Sequence, residues 1–138
     1  MLRYQLTHPT ILAALASAGH GSRVLISDGH YPHTTGAHPA AERVYLNLAP
    51  GRLLVTEVLA ALVDAVPIEA ATVMSPPAQA EPPIFAEFRA ALPGLTLDGL
   101  DRFGFYDVAR GPDLALVIAT GDRRTYANLL LTLGVRED

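Results

Sequence analysis

In the stretch AGHGSRVLISDGHYP, residues 18–32, three groups able to move protons or hold hydroxyls flank one short apolar segment. His20 precedes Val24-Leu25-Ile26, Asp28 and His30 follow it, and each stands beside a glycine. An imidazole titrates near neutrality, with an unperturbed pKa of about 6.5, and a carboxylate can accept from hydroxyls or hold an imidazole in one tautomer. The pattern points to general acid/base chemistry. Taken singly, each residue has a plainer explanation: Asp28-Gly29 as a turn, and His20 as a cation near a helix C-terminus.

Two further groups widen the set. Tyr126 and Asn128, in GDRRTYANLLL, supply a phenolic donor and a two-way amide, the equipment for reading sugar hydroxyls. Arg102, Phe103, Phe105 and Tyr106 combine an apolar wall with a cation and a hydroxyl, a mixture suited to a sugar's apolar face and polar rim; ordinary aromatic packing is the alternative. The loop DGHYPHTTGAHP sets His30, His33 and His38 beside Asp28. That is a metal-like grouping, but the loop lacks the rigid elements that hold most metal sites, so a polar surface loop is the favoured reading.

Other chemistries drop out. The glycines do not fall into a nucleotide-binding fingerprint, and no serine has the flanking glycines of a nucleophile elbow. Cysteine is absent, which removes thiolate catalysis, disulfides and cysteine-ligated zinc. The net charge of −4, without a Lys/Arg block beyond Arg123-Arg124, argues against nucleic acid. No apolar run reaches the ~18 residues of a membrane span, and the N-terminus lacks a signal-peptide layout, so a soluble cytoplasmic protein is expected.

These side chains need elements to place them. The 138 residues suffice for one domain. Thr7 and Pro9, followed by Ile11, Leu12 and Leu15 and then Gly19, predict a capped first helix. Arg23–Asp28 reads as a buried strand, and 29–50 as a loop with a short strand near Val44–Leu48. GRLLVTEVLAALVDAVP predicts a helix apolar on nearly every face, of the kind found at subunit contacts. IEAATVMSP is a strand, PPAQAEPP an irregular connector, and IFAEFRAAL an amphipathic helix opened by Pro83. LDRFGFYDVAR fits a short helix or a turn, DLALVIATG is a strand, and ANLLLTLGV is too short to assign by period. The alternation predicts an α/β domain with a mostly parallel sheet. With 50% hydrophobic and 17% charged residues and a mean hydropathy of +0.26, the surplus apolar surface suggests a subunit interface.

The order and spacing of GHG, SDGHYP, GRLLVTEVL, RFGFYDVA and TGDRRTYANLLLTLGV resemble the D-ribose pyranase and L-fucose mutarotase family along nearly the whole chain. The Asp28-x-His30-x-Pro32 and Arg102-Phe103-x-Phe105-Tyr106 segments look like the fucose branch, and Tyr126-Ala127-Asn128 like the ribose branch, so the preferred aldose stays open. Asp122 stands where Glu is common, and the proline-rich connector is a departure from the pattern. The resemblance implies a three-layer α/β/α fold assembled into rings, commonly decamers of stacked pentamers, with sites close to subunit contacts. It implies His20 as proton donor, and Asp28, Arg102 or Tyr106, Tyr126 and Asn128 at sugar-contacting positions, with His30 beside them. The expected activity is cofactor-free exchange of sugar anomers, without a metal, in which Asp28 orients His20. A non-catalytic sugar-binding or assembly protein on the same scaffold is the alternative, with a metal-dependent enzyme using the histidine loop a less favoured third.

Overall fold

The computed structural model describes residues 1–78 and 80–138; Gln79, inside the expected proline-rich connector, lies outside the described residues. The elements in chain order are α1 (Pro9–Ser17), β1 (Arg23–Ser27), β2 (Glu42–Tyr45), α2 (Val55–Ala65), β3 (Ile68–Met74), α3 (Ile84–Ala91), β4 (Leu97–Leu100), α4 (Arg102–Ala109), β5 (Leu114–Ala119) and β6 (Leu129–Leu133). The six strands form one sheet in the order β2-β5-β1-β6-β3-β4. The β2/β5, β1/β5 and β3/β4 pairs are parallel, and β6 runs antiparallel between β1 and β3.

This is the expected three-layer arrangement. Alternate residues of the central strands face opposite sides, as the strand period of two requires. Val24 and Ile26 of β1 join Leu129 and Leu131 of β6 beneath α1, α2 and α3, where Ile11, Leu59, Leu62 and Phe88 complete the larger core. Leu25, Val117 and Leu130 face the other side, where Phe105 and Ala109 of α4 and Tyr31, Ala37 and Ala41 of the long loop cover them. The ambiguous RFGFYDVA segment is a helix, capped by the Asp101 carboxylate, which accepts from Gly104 N at 2.7 Å.

Several expectations need revision. The cap of α1 is His8, whose Nδ1 accepts from Ile11 N at 3.4 Å, in place of Thr7. Helix α2 buries one face only, through Val55, Val58, Leu59 and Leu62, while Val63, Asp64 and Ala65 face outward. The ANLLLTLGV run is the antiparallel strand β6. Strand β4 carried no recognisable signal: LDGL sits at the sheet edge with neither face buried, so it has neither alternation nor an apolar run.

The turn after β5 is the tightest backbone approach near the pocket described below. A Cβ on Gly121 would lie 2.4 Å from the carbonyl oxygens of both Ala49 and Arg52, and Gly51 N donates to Gly121 O at 2.6 Å. Backbone on both sides leaves nothing soft to move. Gly121→Ala is expected to destabilise the fold by about 3 kcal/mol, the upper end of overpacking costs. Thermal denaturation should show a fall in Tm of roughly 10 °C.

Candidate functional site

The carboxyl ends of the parallel strands and the start of the antiparallel β6 meet at one edge of the sheet. In open α/β sheets this is where ligands gather. Asp28 follows β1, Met74 ends β3, Arg102 follows β4 by one residue, and Asn128 immediately precedes β6. Together with His30, Tyr31, Tyr106, Thr125 and Tyr126 they line an open pocket of about 300 Å³. Six of the seven sequence-predicted site residues are thus brought together: Asp28, His30, Arg102, Tyr106, Tyr126 and Asn128.

Asp28 and Asn128 form the floor. Both are buried, and they bond twice: Asp28 N donates to Asn128 Oδ1 at 2.9 Å, and Asn128 Nδ2 donates to Asp28 Oδ2 at 3.0 Å. Asp28 Oδ1 accepts from His30 N at 2.9 Å. Burial pushes the Asp28 carboxyl above the usual carboxylate range, outweighing the bonds from His30 N and Asn128 that favour its charged form. A carboxyl raised in this way is better matched to proton exchange near neutrality.

The walls are aromatic. Tyr31 meets Tyr106 edge to face at 5.4 Å between ring centres, and its hydroxyl donates to Gly36 O at 2.6 Å, so its phenol is spent on the loop. Burial holds that phenol above its ordinary titration range. The Arg102 guanidinium lies 5.6 Å from the centre of the Tyr106 ring, and its Nε donates to Tyr106 Oη at 3.3 Å. Arg102 thereby offers the rim a cation held against an aromatic face. Tyr126 has φ +63°, a left-handed conformation costly for a side chain of this size, and such strain clusters at binding sites.

The histidine loop is occupied with its own backbone. His33 Nε2 lies 3.1 Å from Asp28 O, and His38 Nδ1 accepts from Ala40 N at 3.1 Å. Nε2–H donates to the Asp28 carbonyl, and burial, with Arg43 nearby, lowers the His33 pKa below the ordinary imidazole value against the opposing effect of that bond. Among the described residues no three His, Asp or Glu side chains are grouped to hold a metal ion. His30 is exposed and leans its Nε2 toward Arg123 O at 3.3 Å.

His20 does not enter this pocket. It precedes β1 and Asp28 follows it, so five strand residues, roughly 16 Å, separate the two ends. The expected orientation of His20 by Asp28 is therefore not made within the chain. His20 Nε2 lies 2.9 Å from Glu69 Oε2, and the Asp28 carboxylate is engaged by Asn128 and His30. Tyr31, Met74 and Thr125 also line the pocket, and none of them stands out in the sequence as a site residue. Tyr31 lies within the quoted SDGHYP, whereas Met74 closes a strand that reads as plain core.

The sequence profile of the RbsD / FucU transport protein family matches residues 1–136. The chain belongs to the RbsD/FucU family. Its fold is that of Bacillus subtilis RbsD complexed with D-ribose, at 20% identity over 99% of this chain and 100% of that one, with a TM-score of 0.86. The fucose mutarotase of Streptococcus pneumoniae in complex with L-fucose superposes with a TM-score of 0.81, at 22% identity and 94% coverage of both chains. FucU from Bifidobacterium longum matches at 28% identity over 94% of this chain and 95% of that one, also with a TM-score of 0.81. No helix among the described residues of this RbsD/FucU chain is long and apolar enough to cross a membrane.

Behind the pocket, Asp122 carries the loop that presents Thr125 and Tyr126. It is buried, and Oδ2 accepts from Val55 N at 3.0 Å, satisfying the first N–H of α2. Arg124 pairs with both Asp122 oxygens and reaches Glu87 on α3 at 2.7 Å. Burial alone would raise the Asp122 carboxyl, but the bonds from Arg124 and from the backbone of Arg124 and Val55 hold it below the ordinary range. Arg124→Ala should cost about 2–3 kcal/mol at pH 7, less than the ~3–5 of a fully buried pair because Arg124 is partly exposed. The depressed Asp122 pKa contributes stability that is present above the unfolded value and lost as pH falls through the folded one. The gap between wild type and Arg124→Ala in urea unfolding should therefore narrow as pH drops below about 4.

Proposed function

We propose that this RbsD/FucU protein is a sugar mutarotase that interconverts the anomers of L-fucose or a related aldose, and the pyranose and furanose forms where the sugar allows both. The observation that carries this reading is the convergence of Asp28, His30, Arg102, Tyr106, Tyr126 and Asn128 on one pocket of about 300 Å³. Solved relatives named as binding L-fucose and D-ribose support the substrate class.

The chemistry asks for proton transfer only. The anomeric hydroxyl gives up its proton, the bond from C1 to the ring oxygen breaks, and the ring oxygen takes a proton, leaving an open aldehyde. Rotation about C1–C2 and reclosure reverse these transfers on the other face. No electrons are exchanged and no poor leaving group is expelled, so general acid/base groups suffice for the reaction. Asp28, with its raised carboxyl, accepts from or returns a proton to sugar hydroxyls. Asn128 holds Asp28 in place, Tyr126 and Arg102 fix the sugar's polar edge, and Tyr106 offers an apolar face.

His20, assigned as proton donor by family resemblance, stands at the far end of β1 from its own pocket. We place the working site between copies of this chain, with the His20 end of one copy against the pocket of the next. A homo-oligomer, a decamer of stacked pentamers in the family's pattern, supplies that arrangement, and cytoplasmic free sugar is its substrate.

Magnetisation-exchange proton NMR of anomeric signals tests the reading with L-fucose, D-ribose and other aldoses. One sugar should exchange faster with the protein present. His20→Ala and Asp28→Asn should each lower that acceleration by about 10²-fold or more, the range of general acid/base contributions. No acceleration of any aldose would favour the binding-protein alternative. Light scattering that returns a monomer with full activity would overturn the composite site.

A further inference from the structure

We propose that Glu69 is the positioning residue of His20, a role that rests on the mutarotase reading for its catalytic meaning but not for its geometry. The two residues are 49 apart in sequence and meet at 2.9 Å, Nε2 to Oε2. What brings them together is a defect in the sheet. Along the antiparallel β3/β6 pair, Ile68 faces Leu133 and Ala70 faces Thr132, so Glu69 is an extra residue bulged out of register. A bulge re-aims a side chain and is over-represented beside active sites.

The opposite partner is built with equal care. His20 occupies the second position of the turn Gly19–Ser22, closed by Ser22 N donating to Gly19 O at 3.0 Å. Gly21 follows with φ +86°, which a residue with a side chain would resist. Gly21 N donates to Leu133 O and Leu133 N to Ser22 O, both at 2.9 Å, stitching the turn onto the end of β6. On the other side of β6, a Cβ on Gly134 would press within 3.2 Å of the Glu69 Cβ. The turn, the strand end and the bulge thus fix both members of the pair against the same strand.

The pair's stability value does not account for this construction. The His20 and Glu69 side chains are 60% and 44% exposed, and exposed ion pairs contribute little. A positional role does. With Nε2–H donating to the carboxylate, the neutral ring presents Nδ1 outward as the atom that takes up a proton and gives it back to sugar. Glu69 touches no sugar in this arrangement. It holds one tautomer and one ring orientation, the task expected of Asp28 from the sequence.

The test compares Glu69→Ala, Glu69→Asp and His20→Ala, singly and combined, by anomer-exchange NMR and by imidazole ¹⁵N NMR of the sugar-free protein with its ring neutral. Glu69→Ala is expected to lower kcat ~10- to 100-fold with KM nearly unchanged, as for loss of other imidazole-orienting carboxylates. Tm should not move, Glu69→Asp should recover part of the loss, and Glu69→Ala should add nothing in the His20→Ala background. In the ¹⁵N spectrum the Nδ1–H tautomer of His20 should grow when Glu69 is replaced. Wild-type kcat in Glu69→Ala, or an equal further loss in the His20→Ala background, overturns the proposal. Should wild type accelerate no aldose, the mutarotase reading falls, and the ¹⁵N spectrum alone decides whether Glu69 orients His20: an unchanged tautomer refutes it.

Discussion

The double hydrogen bond between Asp28 and Asn128 is the constraint on which the pocket depends. It joins the end of β1 to the beginning of β6, residues 100 apart in sequence, across one of the two antiparallel pairings that β6 makes in the sheet. In a sheet of parallel strands alone, a strand beside β1 would bring its carboxyl end to this edge. Because β6 runs the other way, its first residues arrive there instead, and the loop carrying Tyr126 can be placed against the Asp28 carboxylate. Each bond satisfies a buried group that would otherwise cost about 1–3 kcal/mol.

Two buried carboxylates at this edge are handled in opposite ways. Asp122 is held by Arg124 and capped by Val55 N, so its charge stabilises the folded chain at neutral pH. Among the described residues no cationic side chain lies within hydrogen-bond distance of the Asp28 carboxylate, and burial raises its pKa. Its contribution to stability falls as pH rises from the ordinary carboxylate value through its own raised one. A group that weakens the fold when charged is out of place unless its charge is needed for something else. The contrast separates the carboxylate that holds the loop from the one available to a ligand.

The wall opposite is a loop made firm without regular structure. Arg43 on β2 donates to the carbonyls of His33, Ala37, His38 and Ala41, between 2.9 and 3.2 Å, and so serves four groups that no strand or helix would have satisfied. That loop sets Tyr31 against Phe105 and Tyr106 and returns His33 to the Asp28 carbonyl. The histidines that resemble a metal site in sequence are part of this scaffold. Single-sequence reading could find the apolar strands and the groups beside them, since alternation and turn residues are local. It could not find Arg43's role or the direction of β6, because both are settled by distant partners. Edge strand β4 is hidden for a related reason: only Leu97 and Leu100 are half-buried, with exposed Asp98 and Gly99 between them, which leaves neither alternation nor an apolar run. Glu69 was visible as the one charge in IEAATVM, but only the register of β6 shows that it is bulged toward His20.

One strand therefore separates two chemical ends. At one, Asp28, Asn128 and the aromatic walls form a pocket that His20 does not line; at the other, His20 and Glu69 form an exposed pair. A rigid five-residue strand cannot bend to unite them, and hydrogen bonds to β5 and β6 fix it on both sides. If both ends serve one reaction, the joining must happen between molecules. Oligomerisation then becomes part of the chemistry, because each copy would complete its neighbour's site while its own pocket waits on another.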